Sequence, residues 1–197
     1  MRWRTRSPSN ELEQRLPELA GMWTLDAAHT SVEVSVRHMM VATVRGRLQA
    51  TRGTLQVDAE DPLGSRAEVE LDAASIDTGN PDRDRHLRGP DFLDVAQYPT
   101  IEFVTTGVEE QDDGPYLVRG DLTLRGVTRP VALRAELGGL VRDPYGNDRV
   151  GFSATGSIDG DEFGLTWNAA LEGGGLVVSN TIRFAADAEF IRQPPPG

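Results

Sequence analysis

Cysteine is absent from the 197 residues of the chain. Its absence excludes disulfide frameworks, thiolate nucleophiles and zinc sites built on cysteine. Long apolar runs are also missing: no stretch reaches the roughly 18 apolar residues that a membrane-spanning helix needs. Residues 1–20 carry four arginines and no continuous apolar stretch, which is unlike a secretory signal. We therefore expect a soluble, cytoplasmic protein.

Basic residues are fewer than acidic residues. The chain has 31 acidic and 20 basic residues, and its formal net charge is −11. This excess disfavours nucleic-acid binding, which depends on neutralising phosphates. It also disfavours stable adsorption to anionic lipid headgroups. If the protein handles lipid, we expect it to enclose one molecule at a time in a cavity, with no stable membrane insertion.

Most of the chain alternates between apolar and polar residues with a period of two. Val32, Val34 and Val36 fall on one face of a strand, and Glu33 and Ser35 fall on the other. Similar alternation recurs in residues 44–57, 67–73, 101–103, 118–124, 131–137, 152–158 and 182–190. The pattern predicts an all-β fold, an eight-stranded antiparallel barrel over residues 21–192. Residues 1–20 would form a partly ordered extension and residues 193–197 a proline-rich tail.

The inward positions of these strands hold many small residues. Aromatic residues make up only 6% of the chain. A filled core would require more Leu, Ile and Phe at such positions, so their scarcity favours a lined cavity over a solid sandwich. The small inward residues are Ala67, Ala73, Ala135, Ala154, Ala186, Ala188, Gly46, Gly120 and Gly156.

One charged segment, residues 80–93, interrupts the strand pattern. Asn80 is suited to cap a helix and Pro81 to occupy its first turn. The segment reads Asn-Pro-Asp-Arg-Asp-Arg-His-Leu from residue 80, with Asp91-Phe92 and Tyr98-Pro99 downstream. Further segments accompany it in order: residues 26–39, residues 120–130 and Gly151-Phe152. Together, over roughly Trp23 to Phe190, they resemble the YceI-like family.

That resemblance implies a lipocalin-like barrel that binds a polyisoprenoid, an isoprenoid quinone, a fatty amide or another long-chain lipid. It also implies a tendency to form dimers, for which Trp167 and Ile191 are candidate contacts. Many family members carry a signal peptide, and the cytoplasmic location expected for this chain departs from that pattern. The resemblance assigns no catalytic role to the charged segment. It leaves the roles of Trp167 and of the glycine run 173–175 open.

Asp82, Asp84 and His86 also suggest a metal site. Their spacing argues against one, because Asp82 and His86 share a helical face while Asp84 points elsewhere. We expect Asp82, Arg83, Asp84 and Arg85 to form an ion-pair and capping network that fastens the helix to the barrel, with no metal and no cofactor. His29 is predicted to fix a turn, and His38 to reach the barrel interior.

The sequence thus predicts a binding protein without catalytic residues. The alternatives are a lipid-modifying enzyme that uses His38 or His86, and a solid-core interaction module. A serine nucleophile is not supported, since no G-x-S-x-G motif occurs. The residues expected to contact the lipid are Val34, Val36, His38, Leu48, Val69, Leu71, Phe103, Leu122, Leu133, Phe152 and Phe184.

Overall fold

The structure is a computed structural model that describes residues 16–39, 41–111, 115–167 and 178–194. Its one α-helix in these ranges, α1, spans Pro81–Arg88. Short 3-10 turns occupy Leu16–Leu19, Ala27–His29, Pro62–Gly64 and Gly160–Phe163. The strands are β1 (Gly21–Leu25), β2 (Ser31–His38), β3 (Ala42–Val57), β4 (Arg66–Asp77), β5 (Thr100–Glu109), β6 (Tyr116–Leu124), β7 (Val127–Arg142), β8 (Asp148–Asp159) and β9 (Val178–Arg192).

The strands form a closed antiparallel barrel. Hydrogen-bonded neighbours run β1-β3-β2-β9-β8-β7-β6-β5-β4, and pairing of β3 with β4 closes the sheet. Both β1 and β2 lie between β3 and β9, so they are two halves of one strand broken at Asp26–Thr30. The barrel therefore has eight strand positions, and the predicted all-β fold is confirmed.

Irregularities change which residues face inward along single strands. In β3 the inward positions are Gly46, Leu48 and Ala50, and beyond a register shift they become Gly53, Leu55 and Val57. One extra residue at such a bulge reverses the alternation. This explains why the buried residues of β3 change from even to odd numbers. It also allows a 16-residue strand to bend around the barrel.

The two ends of the barrel differ. One end, called the α1 end, carries helix α1, the β2–β3 and β6–β7 turns and the turn at Gly160–Phe163. At its β6–β7 turn, Arg125 and Gly126 both have positive φ, 52° and 71°, as a tight type I′ hairpin requires. The opposite end, called the far end, carries Leu16–Leu19 and the β3–β4, β5–β6 and β7–β8 connections.

Packing at the far end begins inside the predicted N-terminal extension. Leu19 is buried in an apolar cluster with Trp23, Leu55 and Phe190. The Trp23 indole Nε1 donates to the Leu19 carbonyl at 2.7 Å. The Arg192 guanidinium lies 4.2 Å from the centre of the Trp23 ring. These contacts close the far end and join the start of the barrel to its last strand.

Candidate functional site

The barrel encloses a cavity of about 810 Å³. Its wall is built from inward side chains of all the strands except β1, together with residues of α1 and of the segments that flank it. The structure places every one of the eleven residues expected to contact a lipid on this wall: Val34, Val36, His38, Leu48, Val69, Leu71, Phe103, Leu122, Leu133, Phe152 and Phe184. Whether they contact a ligand remains a proposal.

Small side chains widen the middle of the cavity. Ala154 of β8 pairs with Ala135 of β7 and with Ala186 of β9, so three alanines form a row across adjacent strands. All three line the cavity. A methyl group is the smallest side chain that still presents an apolar surface. This row therefore sets the width of the cavity at its mid-height.

The inward glycines, in contrast, do not leave empty space. A Cβ added at Gly120 would strike the ring of Phe103, and one at Gly156 would strike the ring of Phe184. Gly46 is covered in the same way by Ile76 and Thr78. The expectation that these glycines widen the cavity is wrong, because side chains from neighbouring strands lie over them. The glycines instead let large side chains lie flat against the wall.

The cavity reaches the surface at the α1 end. Most residues of its wall are buried or half-buried, and the exposed ones among the described residues are Arg45, Asp82, His86 and Trp167. All four lie at the α1 end, on β3, on α1 or after the Gly160–Phe163 turn. Polar side chains of the wall also gather there, including His38, Arg83 and Asn180. The cavity is therefore polar at its mouth and mainly apolar in depth, where Thr105 and Tyr116 are polar exceptions.

Helix α1 is fastened to the barrel by a polar network. Asn80 caps the helix as predicted, accepting from the backbone N–H of Asp82 and Arg83 at 3.1 Å. Buried Asp84 accepts from the Thr78 backbone N–H at 3.0 Å. Arg83 donates to the Thr78 hydroxyl at 2.7 Å. The predicted network is thus confirmed in part: Arg83 and Asp84 fasten the helix through Thr78, whereas Asp82 and Arg85 pair with each other within the helix, at 2.9 Å.

Arg88 is a fastening residue that the sequence did not reveal. Its guanidinium donates to the carbonyl oxygens of Ala74 and Ile76, each at 2.7 Å. Arg125, in the β6–β7 turn, bridges two other segments of this end by donating to the carbonyls of Gly164 and Pro90. Both residues act on backbone carbonyls distant in sequence. Local spacing therefore gives no signal for them.

An aromatic cluster borders the mouth. The His86 ring meets Phe92 and Trp167 edge-on, with ring centres 5.0 and 4.8 Å away. His86 Nε2 also lies 3.0 Å from Asp91 Oδ2. His86 is thus paired within the protein, and Trp167, whose role the sequence left open, lies in the wall of the mouth. The glycine run 173–175, also left open, falls outside the described residues.

One group of possible metal ligands lies outside the cavity. Asp26, His29 and Glu189 bring ligand atoms within 4.8 Å of one another. Arg149 already supplies positive charge there: its Nη1 lies 2.8 Å from Asp26 Oδ2 and also contacts Glu189. Hydrogen bonds from Arg149, and secondarily from His29, lower the pKa of Asp26 to about 2. This group is an ion-pair network around a guanidinium and does not present an open cation site.

The same network extends to the β7–β8 turn. Arg149 Nε lies 2.7 Å from Asp143 Oδ2, and this contact holds the pKa of Asp143 below its usual range, with help from Asn147. His29 Nδ1 lies 2.9 Å from Asp26 Oδ2, in the turn that breaks the first strand. His29 is therefore part of a turn, as predicted. Arg149 ties that turn to β8 and β9.

Comparison with known proteins establishes the family. A model of the YceI-like domain matches residues 23–190. The chain belongs to the YceI-like family. A UPF0312 protein of Staphylococcus aureus is 34% identical over 169 residues, which cover 85% of this chain and 96% of that protein. The resemblance seen in the ordered sequence segments is thereby confirmed.

Solved structures of similar fold include BcnA of Burkholderia cenocepacia, with a TM-score of 0.68 and 18% identity over 84% of this chain and 98% of that one. A polyisoprenoid binding domain from Saccharophagus degradans has a TM-score of 0.60 and 16% identity, over 87% of this chain and 98% of that one. At these identities the likeness concerns the fold. Within the described parts of the chain, no helix has the length and apolar character needed to cross a membrane.

Proposed function

We propose that this protein binds one long-chain apolar lipid inside its barrel, and stores or transports it. The observation that carries the proposal is the cavity of about 810 Å³, mainly apolar in depth and open at one polar end. A solid-core interaction module does not account for such a space. The polyisoprenoid binding domain of similar fold gives further support to an isoprenoid ligand.

The cavity volume sets the size of the ligand. A methylene group is about as large as a water molecule, whose share of liquid volume is about 30 Å³. A cavity of about 810 Å³ therefore has room for a chain of roughly 25 carbons. Burial of about 20 of them corresponds to roughly 16 kcal/mol of transfer free energy. Association and ordering costs remove much of this, which leaves micromolar to nanomolar affinity without strong headgroup contacts.

The distribution of polar groups orients the ligand. Hydrogen-bonding side chains of the wall, such as His38, His86 and Asn180, lie at the α1 end. A polar headgroup placed at the far end would lie mainly among apolar residues such as Leu55 and Leu137, with fewer hydrogen-bonding side chains in reach than at the mouth. The headgroup therefore faces the mouth and the chain extends toward the far end. Polyisoprenoids, isoprenoid quinones and fatty amides all have this construction.

No cofactor or metal takes part in this function, and we propose that it is carried out in the cytoplasm. The protein acts as a container whose ligand leaves chemically unchanged. Its wall supplies apolar contact surface along most of its length. Affinity is therefore expected to follow the buried length of the chain and to depend little on acid–base chemistry.

Organic-solvent extraction of the purified protein, followed by mass spectrometry, tests the proposal. We expect about one equivalent of an isoprenoid or other long-chain lipid per chain. The delipidated protein should take up geranylgeraniol, a 20-carbon isoprenoid alcohol, with the same stoichiometry. A protein that yields no lipid and takes up no geranylgeraniol would refute the proposal. Recovery of an altered lipid after incubation would favour the enzyme alternative.

A further inference from the structure

The connection between β3 and β4, called the β3–β4 turn (residues 58–65), reaches the cavity from the far end. It contains the 3-10 segment Pro62–Gly64, which lies against β5. Pro62, Leu63 and Ser65 are half-buried and belong to the cavity wall. This part of the wall lies opposite the mouth, and we call it the floor of the cavity. On the side of β4 and β5, the floor is therefore formed by a turn and not by a strand.

The buried cluster at the far end does not extend to this side of the barrel. Its described members lie on the Leu16–Leu19 turn and on β1, β3, β7, β8 and β9. None of them lies on β5 or β6, and neither Pro62 nor Leu63 packs against the cluster as a partly buried neighbour. The cavity nevertheless continues along β5 and β6 to this end, where Val108 and Tyr116 line it. Within the described chain, the β3–β4 turn therefore covers a part of the cavity that the cluster does not reach.

Hydrogen bonds hold the β3–β4 turn in shape but do not attach it to the barrel. The Asp61 carboxylate accepts from the Gly64 backbone N–H at 3.1 Å, and the Ser65 hydroxyl donates to the Pro62 carbonyl. Among the described residues, 58–65 make hydrogen bonds only with one another and form no ion pair. The turn is thus seated by apolar contact alone. Segments with few buried apolar contacts open most easily.

The β7–β8 turn at the same end is attached differently. The Asp143 carboxylate accepts from the backbone N–H groups of Tyr145 and Asn147, each at 2.9 Å. It also lies 2.7 Å from Arg149 Nε, and Arg149 Nη1 lies 2.8 Å from Asp26. These charge-assisted hydrogen bonds tie the β7–β8 turn to the barrel. The two turns therefore provide a matched comparison of a fastened and an unfastened segment.

A lipid chain longer than the cavity has to leave it at one end. The cavity of about 810 Å³ has room for roughly 25 carbons, and polyisoprenoids extend beyond that length in units of five carbons. Departure through the mouth would carry the headgroup away from polar residues such as His38 and Asn180. Departure at the far end leaves the headgroup in place and displaces a turn that has no hydrogen bond to the barrel. The route through the far end therefore retains more contacts.

We propose that the β3–β4 turn is a displaceable floor that determines how the protein responds to the length of its ligand. The last carbons of a chain that fills the cavity contact Leu63. Chains longer than about 25 carbons push the turn outward and leave the barrel beside β5. This inference rests on the proposed lipid-binding function, and it adds a second opening and the residue that meets the end of the chain.

Two single-cysteine variants test the displacement, because the chain has no cysteine of its own. Glu60→Cys lies in the β3–β4 turn and Tyr145→Cys in the β7–β8 turn, and both positions are exposed. Each thiol receives a nitroxide label, whose electron paramagnetic resonance spectrum reports local mobility. Solanesol, a 45-carbon isoprenoid alcohol, should increase the mobile component at residue 60 and leave residue 145 unchanged. Geranylgeraniol should change neither spectrum, because its 20 carbons end before the floor.

Leu63→Ala tests the contact with the end of the chain. Leu117→Ala is the matched control, because Leu117 lies at the same end of the barrel but outside the cavity wall. A linear alcohol of 24 carbons should bind Leu63→Ala about fivefold to tenfold more weakly than wild type, since apolar contact is lost at its terminus. The affinity of Leu117→Ala should be unchanged. A 12-carbon alcohol, which ends near the middle of the cavity, should bind all three proteins equally.

The outcomes separate the floor from lipid binding itself. Uptake of tritium-labelled geranylgeraniol and solanesol from ethanol is counted for wild type and for both labelled variants. The displaceable floor is overturned if geranylgeraniol is taken up and solanesol is not, or if bound solanesol leaves the spectrum at residue 60 unchanged. Equal spectral changes at residues 60 and 145, or equal losses of Leu63→Ala for the short and long alcohols, also overturn it. Failure of wild type to take up either lipid refutes the lipid-binding function instead.

Discussion

Narrowing the middle of the cavity should shorten the lipid that the protein accepts. Ala154 lies in the row with Ala135 and Ala186, at mid-height of the wall. Ala154→Phe adds six carbon atoms to the inner surface, where close packing leaves little slack to absorb them. About five or six carbons of a bound chain then lose their place. At about 0.8 kcal/mol each, the loss is roughly 4–5 kcal/mol, or about a thousandfold in affinity, for a chain that fills the cavity.

The effect should depend on chain length. If the headgroup lies at the α1 end, a chain of about 12 carbons reaches only the middle of a cavity that holds roughly 25. Such a ligand should bind Ala154→Phe almost as well as wild type. Affinities measured by fluorescence competition across a series of linear alcohols should rise with each carbon in wild type and stop rising about six carbons earlier in the variant. Ala185→Phe is the matched control, because Ala185 is an exposed neighbour of Ala186.

Two results would contradict this reasoning. Unchanged affinity for ligands of about 25 carbons, which would fill the cavity of wild type, would mean that they do not occupy the barrel interior. Equal loss at all chain lengths, together with a lowered melting temperature, would mean that the added ring disrupts the barrel. Gly120→Leu is a poor substitute for this test. It would collide with Phe103 and damage folding whether or not a ligand binds there.

The remaining predictions concern stability, chemistry and assembly. Thr105→Val should raise the free energy of unfolding by about 1 kcal/mol, because the buried Thr105 hydroxyl has no hydrogen-bond partner among the described residues. Urea titration measures this change, and a loss of stability would show that the hydroxyl is satisfied. His38→Gln should change lipid affinity by no more than about 1–1.5 kcal/mol and leave the recovered lipid unchanged; if the variant stops a lipid alteration seen in wild type, the protein is an enzyme. Asp26 has a pKa of about 2 in the folded state and of about 3.9 in the unfolded state. The Arg149 network therefore stabilises the folded state fully above about pH 4, and this stabilisation is lost as the pH falls toward 2. Urea midpoints of wild type should therefore fall more steeply over that interval than those of Arg149→Gln, and parallel curves would argue against the network. Light scattering should give a mass above that of one chain if Trp167 or Ile191 mediates dimers, and Trp167→Glu should then lower it.

Local signals were sufficient for the helix and for the strands other than β1. Alternation placed all eleven proposed lipid contacts on the wall, because neighbouring residues of a regular strand face opposite sides. Asn80 and Pro81 marked the start of α1 through capping chemistry that involves only adjacent residues. The alternation pattern did not predict strand β1, because Gly21–Leu25 has only five residues, of which only Trp23 and Leu25 are buried.

Features that depend on contacts between distant segments could not be read from the sequence. The glycines were interpreted as empty space because the residues that cover them, such as Phe103 and Phe184, come from other strands. The cluster of His86, Phe92 and Trp167 joins segments about 80 residues apart. The Arg149 network joins β8 to a turn more than 100 residues earlier. No spacing rule connects such positions before the fold is known.

Two buried apolar clusters hold the barrel together, one at the far end and one at the α1 end. Of the four largest fully buried side chains, Trp23, Leu19 and Val150 belong to the cluster at the far end, and Arg149 and Arg192 tie the strands around it. The α1 end has a buried apolar cluster of its own, which includes Ile76, Leu124 and Phe163, and it also holds the mouth, bordered by exposed side chains and by a helix fastened with hydrogen bonds. Since the mouth already opens beside α1, we expect a lipid to enter and leave there without unfolding of either cluster.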